Sequence, residues 1–250
     1  MNNEKGKSLR YFLKDTIRQT TDFSNTEQNM GVKAPPIEKP CSAASPKIVL
    51  PFPEEWQNIG DVSVKKAIAE RQSCRKYKSQ PLSMEELAYL LWSTQGVRAW
   101  RRGTALRTVP SAGNRHALET YIAVFNVVGL NQGIYRYLPS SHQLVLESSP
   151  EHLKEKTIEA ALNQPFAGAG AVTFIWTTIP YRMEWRYAEA SYKVIALDAG
   201  HVCQNLYLAC ESIGAGTCAI AAYNQQIADQ LLNVDGEEEF VVYMSPVGKV

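Results

Sequence analysis

Six apolar residues, Ile195, Ala199, Val202, Leu206, Ala209 and Ile213, follow one another at spacings of 4, 3, 4, 3 and 4. That spacing keeps one face of a helix apolar over many turns. It predicts a single long helix over residues 184–213. The stripe must be covered, either by the rest of the same chain or by a second copy of it.

The remainder of the chain alternates helices and strands. "DVSVKKAIAERQS" reads as a short helix with Val64, Ala67 and Ile68 on one side. "LSMEELAYLLWSTQG" is a clearer helix: Ser83 and Glu86 have capping-box spacing, and Gly96 is a natural stop. "LETYIAVFNVV" and "AVTFIWTTI" are rich in β-branched and aromatic residues and read as buried strands. "GIYRYLPSSHQLVLES" reads as a hairpin turning at "PSSH". Ser149 and Pro150 stand at the expected start of another helix. "NQQIADQLLNV" and "EEFVVYMSPVGK" add a helix and a final strand. The class is α+β or α/β with a mixed sheet. Two helices precede any strong strand and there is no G-x-G-x-x-G, which argues against a regular βαβ nucleotide fold. Residues 1–50 are polar and proline-containing and read as an arm, either disordered or wrapped on a neighbouring subunit. Residues 51–250 form the body.

Composition narrows the function. The chain has 250 residues, 45% of them hydrophobic, and a net charge of +1, so nothing points to nucleic acid or an acidic membrane. No apolar run would span a bilayer and the first residues lack a signal-peptide core, so a cytoplasmic location is expected. The five cysteines have no C-x-x-C spacing and the four histidines no H-E-x-x-H pattern, so no metal site is expected.

Three stretches carry chemistry. "ERQSCRKY" alternates Arg71, Ser73 and Arg75 at a helix end, and arginine forks suit phosphate oxygens; a solvated basic helix terminus gives the same residues. "RTVPSAGNRHALETY" leads a permissive loop directly into a strand. "GAGTCAIAAYNQQ" allows backbone to approach a ligand, or helices to pack tightly.

Together with "LSMEELAYLLWSTQGV", "DAGHVCQNLYLACESIGAGTCAIAAYN" and the closing "PVGK", these stretches resemble the nitroreductase superfamily, and within it the SagB-like dehydrogenases, over residues 45–250. The resemblance implies an α+β fold with a mixed, mostly antiparallel sheet flanked by helices. It also implies an intertwined homodimer with FMN at the subunit interface and NAD(P)H as electron donor. Arg71, Gln72, Ser73 and Arg75 would contact the flavin phosphate and the polar ring edge. Pro110, Ser111, Ala112 and Asn114 would reach the ring from the other subunit, and Ala221 and Ala222 would face flavin N5. Lys249 would add a cation to the phosphate. The related azoline oxidases carry a Lys-Tyr pair before the long helix; Arg186 and Tyr187 stand there in this chain. Arginine is a poor base, so Tyr187 is the stronger candidate donor. The expected activity is hydride transfer at N5 to nitroaromatic or quinone-type acceptors. The alternatives are oxidation of a heterocycle in a modified peptide, or a flavin-less dimeric scaffold for a partner enzyme.

Overall fold

The computed structural model describes residues 10–101 and 103–250. The first predicted strand forms as β4 (Leu118–Val124), with all seven residues buried, as covering on both faces requires. Its neighbours are β5 (Gly133–Leu138) and β7 (Val172–Thr178). β6 (Gln143–Ser148) makes the expected hairpin with β5. Outside these lie β1 (Lys47–Val49) against β6, and β9 (Phe240–Lys249) against β7, with β8 (Ala215–Thr217) at the far edge. The order is β1-β6-β5-β4-β7-β9-β8. These ladders are antiparallel, and Ser73 adds a parallel bridge to Thr217, so the sheet is mixed and mostly antiparallel. A separate hairpin, β2 (Val97–Arg101) with β3 (Thr104–Arg107), has no alternating apolar pattern to mark it.

Helices cover both faces. On one, Leu118, Ile122, Phe174 and Trp176 pack with α2 (Met84–Gln95) and α5 (Ser191–Glu211). On the other, Tyr121, Ala123, Ile175 and Met244 pack with α3 (Leu153–Ala160) and α6 (Gln225–Leu232). The capping box is made: Ser83 N–H donates to Glu86 Oε2 at 2.9 Å, and Glu86 N–H to Ser83 Oγ at 3.1 Å.

The predicted long helix is two helices. α4 (Tyr181–Tyr187) stops at Ala188, whose φ is +45°, and α5 starts at Ser191. The carbonyl of Trp185 accepts the N–H of Gln28 at 3.0 Å, so the arm takes an acceptor that a continuous helix would use. All six stripe residues are buried within this chain against α2 and the sheet. The stripe is therefore an intrachain core and not a face for a second copy. α3 begins at Leu153, with His152 at its N-cap; Ser149 and Pro150 lie before it. In α1 (Val64–Glu70) only Ala67 is buried, while Val64 and Ile68 face outward.

The described part of the arm lies along its own chain. Three short 3-10 turns, Arg10–Leu13, Thr16–Gln19 and Phe23–Asn25, precede an irregular segment that leads into β1. Trp185 Nε1 donates to the Val32 carbonyl (2.9 Å), Arg107 Nη2 to Ile37 (2.7 Å) and Arg136 Nη1 to Lys39 (2.7 Å). Residues 1–9 of the expected arm lie outside the described residues. Beneath the described part of the arm Glu119 is buried, accepting from Arg182 Nη2 at 2.5 Å and lying 3.7 Å from Arg136 Nη1. Among the described residues no helix is long and apolar enough to cross a membrane.

Candidate functional site

Two clusters flank α5. The first lies at the β8 edge. α1 ends at Arg71, whose guanidinium carbon stands 5.5 Å from the Tyr207 ring centroid. Ser73 Oγ is 3.1 Å from the Tyr207 hydroxyl, and that hydroxyl accepts the Ala219 N–H at 2.9 Å. The backbone here is fixed by Cys74 N–H donating to Thr217 (2.9 Å) and by Tyr77 Oη donating to the Cys74 carbonyl (2.7 Å). Gly216 is required by packing, since a Cβ there would lie 2.6 Å from Cys74 Sγ. Arg75 is exposed, its guanidinium 5.5 Å from the Phe166 ring; Gln72 is exposed too.

Beyond this edge the Ile220 N–H and C=O both pair with Met244, and the chain leaves the sheet at Ala221 and Ala222, both exposed. Ala221 lines an apolar groove of about 480 Å³ with Ala196, Ala199, Gly200 and Tyr243. A side chain at 200 would meet nothing within 4 Å, so the α5 wall of the groove is flat and open.

The second cluster is the 110–115 loop. Gly113, Asn114 and His116 all have positive φ. Asp198, buried on α5, anchors the loop: its carboxylate accepts the Ala112 N–H at 3.2 Å and bonds the Ser111 side chain. Burial raises the pKa of this carboxyl above its usual 3.8, and these loop donors partly offset the rise. Ser111 Oγ accepts the His116 N–H at 2.9 Å, and Asn114 Nδ2 donates to the Ala105 carbonyl at 2.9 Å. His116 Nε2 lies 2.8 Å from Asn114 Oδ1, an oxygen that only accepts, so Nε2 carries the proton. Burial, with Arg107, Arg115 and Arg182 nearby, pushes the His116 pKa down to about 3, so the ring is neutral. Pro110 is exposed at the loop's tip.

Arg186 and Tyr187 belong to this second cluster. Both are half-buried against Gly113. Arg186 Nη1 donates to Gln28 Oε1 at 2.9 Å, while its Nε is buried without a partner. Lys249 sits apart from both clusters' open sides: its ammonium is bound by Glu86 and by the Ile213 carbonyl.

Asp198 and Tyr207 are nine residues apart on α5, two and a half turns, so they project from opposite sides of the helix. The structure thus brings Arg71, Ser73 and Ala221 to one side of α5 and the 110–115 loop with Arg186 and Tyr187 to the other. Sequence patterns missed Tyr207, Asp198 and His116. Only a polar residue set beside an apolar stripe hinted at the first two.

The sequence profile of the Nitroreductase family matches residues 68–249. A protein named as a nitroreductase, MJ1384 of Methanocaldococcus jannaschii, is 31% identical over 192 residues, covering 77% of this chain and 93% of that protein. The trifolitoxin-processing protein TfxB of Rhizobium leguminosarum bv. trifolii is 30% identical over 158 residues; the match covers 60% of this chain and 41% of TfxB. The fold resembles a crystal structure from Ralstonia eutropha JMP134 described as a nitroreductase (TM-score 0.68, 24% identity, 87% of this chain and 96% of that one). It also resembles a chain of the E. coli microcin synthetase McbBCD complex with truncated pro-MccB17 bound (TM-score 0.61, 18% identity, 80% and 77%). The chain belongs to the nitroreductase family, whose members are oxidoreductases. Its fold is the α+β nitroreductase-like fold.

Proposed function

We propose that this protein is an FMN-dependent oxidoreductase that works as a homodimer, taking electrons from NAD(P)H and passing them to nitroaromatic or quinone-type acceptors. The observation that carries this is the split of the candidate residues across α5. One chain holds two half-sites that face apart, and a second copy supplies the missing half of each.

The residues present fit the cofactor. Arg71, Ser73 and the exposed Arg75 offer fork and hydroxyl donors to a phosphate. The small residues Ala196, Gly200 and Ala221 leave room for a flat ring system. Bound FMN supplies hydride transfer at N5. The Ala221 and Ala222 backbone is the donor segment toward N5. From the partner copy, Pro110, Ser111, Ala112 and Asn114 approach the ring, held by the Asp198 carboxylate. Tyr187 donates a hydrogen bond to substrate, and the Arg186 guanidinium orients it. Lys249 acts on the phosphate only through the backbone it fixes, because its ammonium is already paired. Such an enzyme operates in the cytoplasm, where reduced nicotinamide is supplied.

A second reading is a SagB-like dehydrogenase that oxidises a heterocycle in a modified peptide. The similarity to TfxB, a toxin-processing protein, favours it, as does the fold shared with the McbBCD chain. One measurement tests the cofactor and a second separates the two readings. Denatured protein should release FMN and not FAD; colourless protein that cannot be reconstituted with FMN leaves only a flavin-less scaffold. Stopped-flow mixing with NADH and NADPH should then bleach the flavin quickly. Absence of bleaching favours the peptide dehydrogenase.

A further inference from the structure

The apolar groove lined by Ala221 is also lined by a residue of the arm. Phe12 lines it beside Pro180 and Tyr192. Phe12 belongs to the Arg10–Leu13 turn, none of whose residues is buried, and it remains 48% exposed, so its ring sits on the rim and not in a core. The turn is tied down just after Phe12. Asp15 accepts from Arg18 Nε at 3.0 Å and pairs with Lys193 on α5 at 3.2 Å, next to Tyr192. Arg18 in turn stands 5.7 Å from the Tyr187 ring centroid, which joins this cover to the second cluster. Exposed ion pairs of this kind are weak and salt-screened, so they position the ring without locking it. Phe12 lies outside residues 68–249, the part of the chain that the family profile matches.

We propose that Phe12 is a specificity-determining residue: its ring narrows the outer end of the groove and limits the width of the acceptor that reaches Ala221. The proposal rests on the flavin reading above, and its test is built to fail separately. The flavin of the holoprotein is photoreduced and its reoxidation followed with p-benzoquinone, menadione and anthraquinone-2-sulfonate, which have one, two and three fused rings. Phe12→Ala should raise the rate constant for the three-ring quinone about tenfold or more and leave the one-ring quinone within about twofold. Phe12→Trp should shift the three-ring rate in the opposite direction. Equal changes for all three quinones, or none, overturn the proposal. A second measurement needs no flavin: the fluorescence of 1-anilinonaphthalene-8-sulfonate should rise on mixing with Phe12→Ala and stay low with the wild type, while identical titrations overturn the closure. Protein that carries no FMN but shows the dye difference refutes the flavin reading and keeps the closure.

Discussion

The Tyr187 hydroxyl occupies the space that a side chain on Gly113 would need: a Cβ there would lie 2.5 Å from it, and 2.5 Å from Arg186 Nε. Gly113 also has φ +55°, where an L-residue is strained. The loop and the Arg186–Tyr187 corner are therefore in contact by way of an absent side chain. Gly113→Ala should cost about 2–4 kcal/mol in urea unfolding, strain and overpacking together. It should also slow flavin turnover more than any change in flavin affinity explains. Full activity in this variant would mean that the corner moves freely and has no part in the site.

Arg71 and Arg75 test the phosphate assignment in different surroundings. Arg71 is stacked on Tyr207, whereas Arg75 projects to solvent beside Phe166. Each change to Ala should weaken FMN binding by about 1.5–3 kcal/mol, the size of a charge-assisted hydrogen bond. Arg71→Ala should also loosen the Ser73–Tyr207 contact, while Arg75→Ala leaves the thermal midpoint unchanged. Unaltered affinity in both variants would make the stretch an ordinary solvated helix end.

His116 sets a pH dependence. Its pKa falls from the usual 6.5 to about 3 in the folded chain, so the unfolded chain binds the proton more tightly. The stability that its neutral form contributes is complete above pH 6.5 and is lost as pH falls below that value. The slope is about 1.4 kcal/mol per pH unit between 6.5 and 3. His116→Gln should flatten this part of the stability profile. A wild type whose unfolding free energy is level from pH 7 to pH 5 would contradict the neutral, buried ring.

Leu206 decides what the apolar stripe is for. It is fully buried within one chain. Leu206→Glu should place an unpaired carboxylate in the core and cost several kcal/mol, of the order of 5, so the variant should unfold and not simply dissociate. Gln204→Glu, on the exposed side of α5, should be tolerated.

Local patterns made most of the fold legible. Ser83 and Glu86 make the box their spacing predicts, and the strands around Ile122 and Phe174 lie where β-branched residues concentrate. What stayed hidden depends on partners distant in sequence. The break at Ala188 goes with Gln28 taking the Trp185 carbonyl, a contact no helical period can announce. The stripe on α5 reads the same whether its cover is α2 or another chain. Arg71 and Ser73 were visible as a motif, but Tyr207, which both of them meet, looks in sequence like any aromatic on a helix flank.

The opposite placement of Asp198 and Tyr207 on α5 has a genetic consequence. In the homodimer proposed above, each site would take its basic edge from one chain and its loop from the other. A chain with Arg71→Ala keeps a sound loop; a chain with Gly113→Ala keeps a sound basic edge. Each variant alone carries one fault at both of its sites. A mixed pair has one site with both faults and one with neither. Unfolded and refolded together in equal amounts, two impaired preparations should therefore yield about one quarter of their sites free of either fault, because half of the pairs are mixed and each mixed pair has one good site of two.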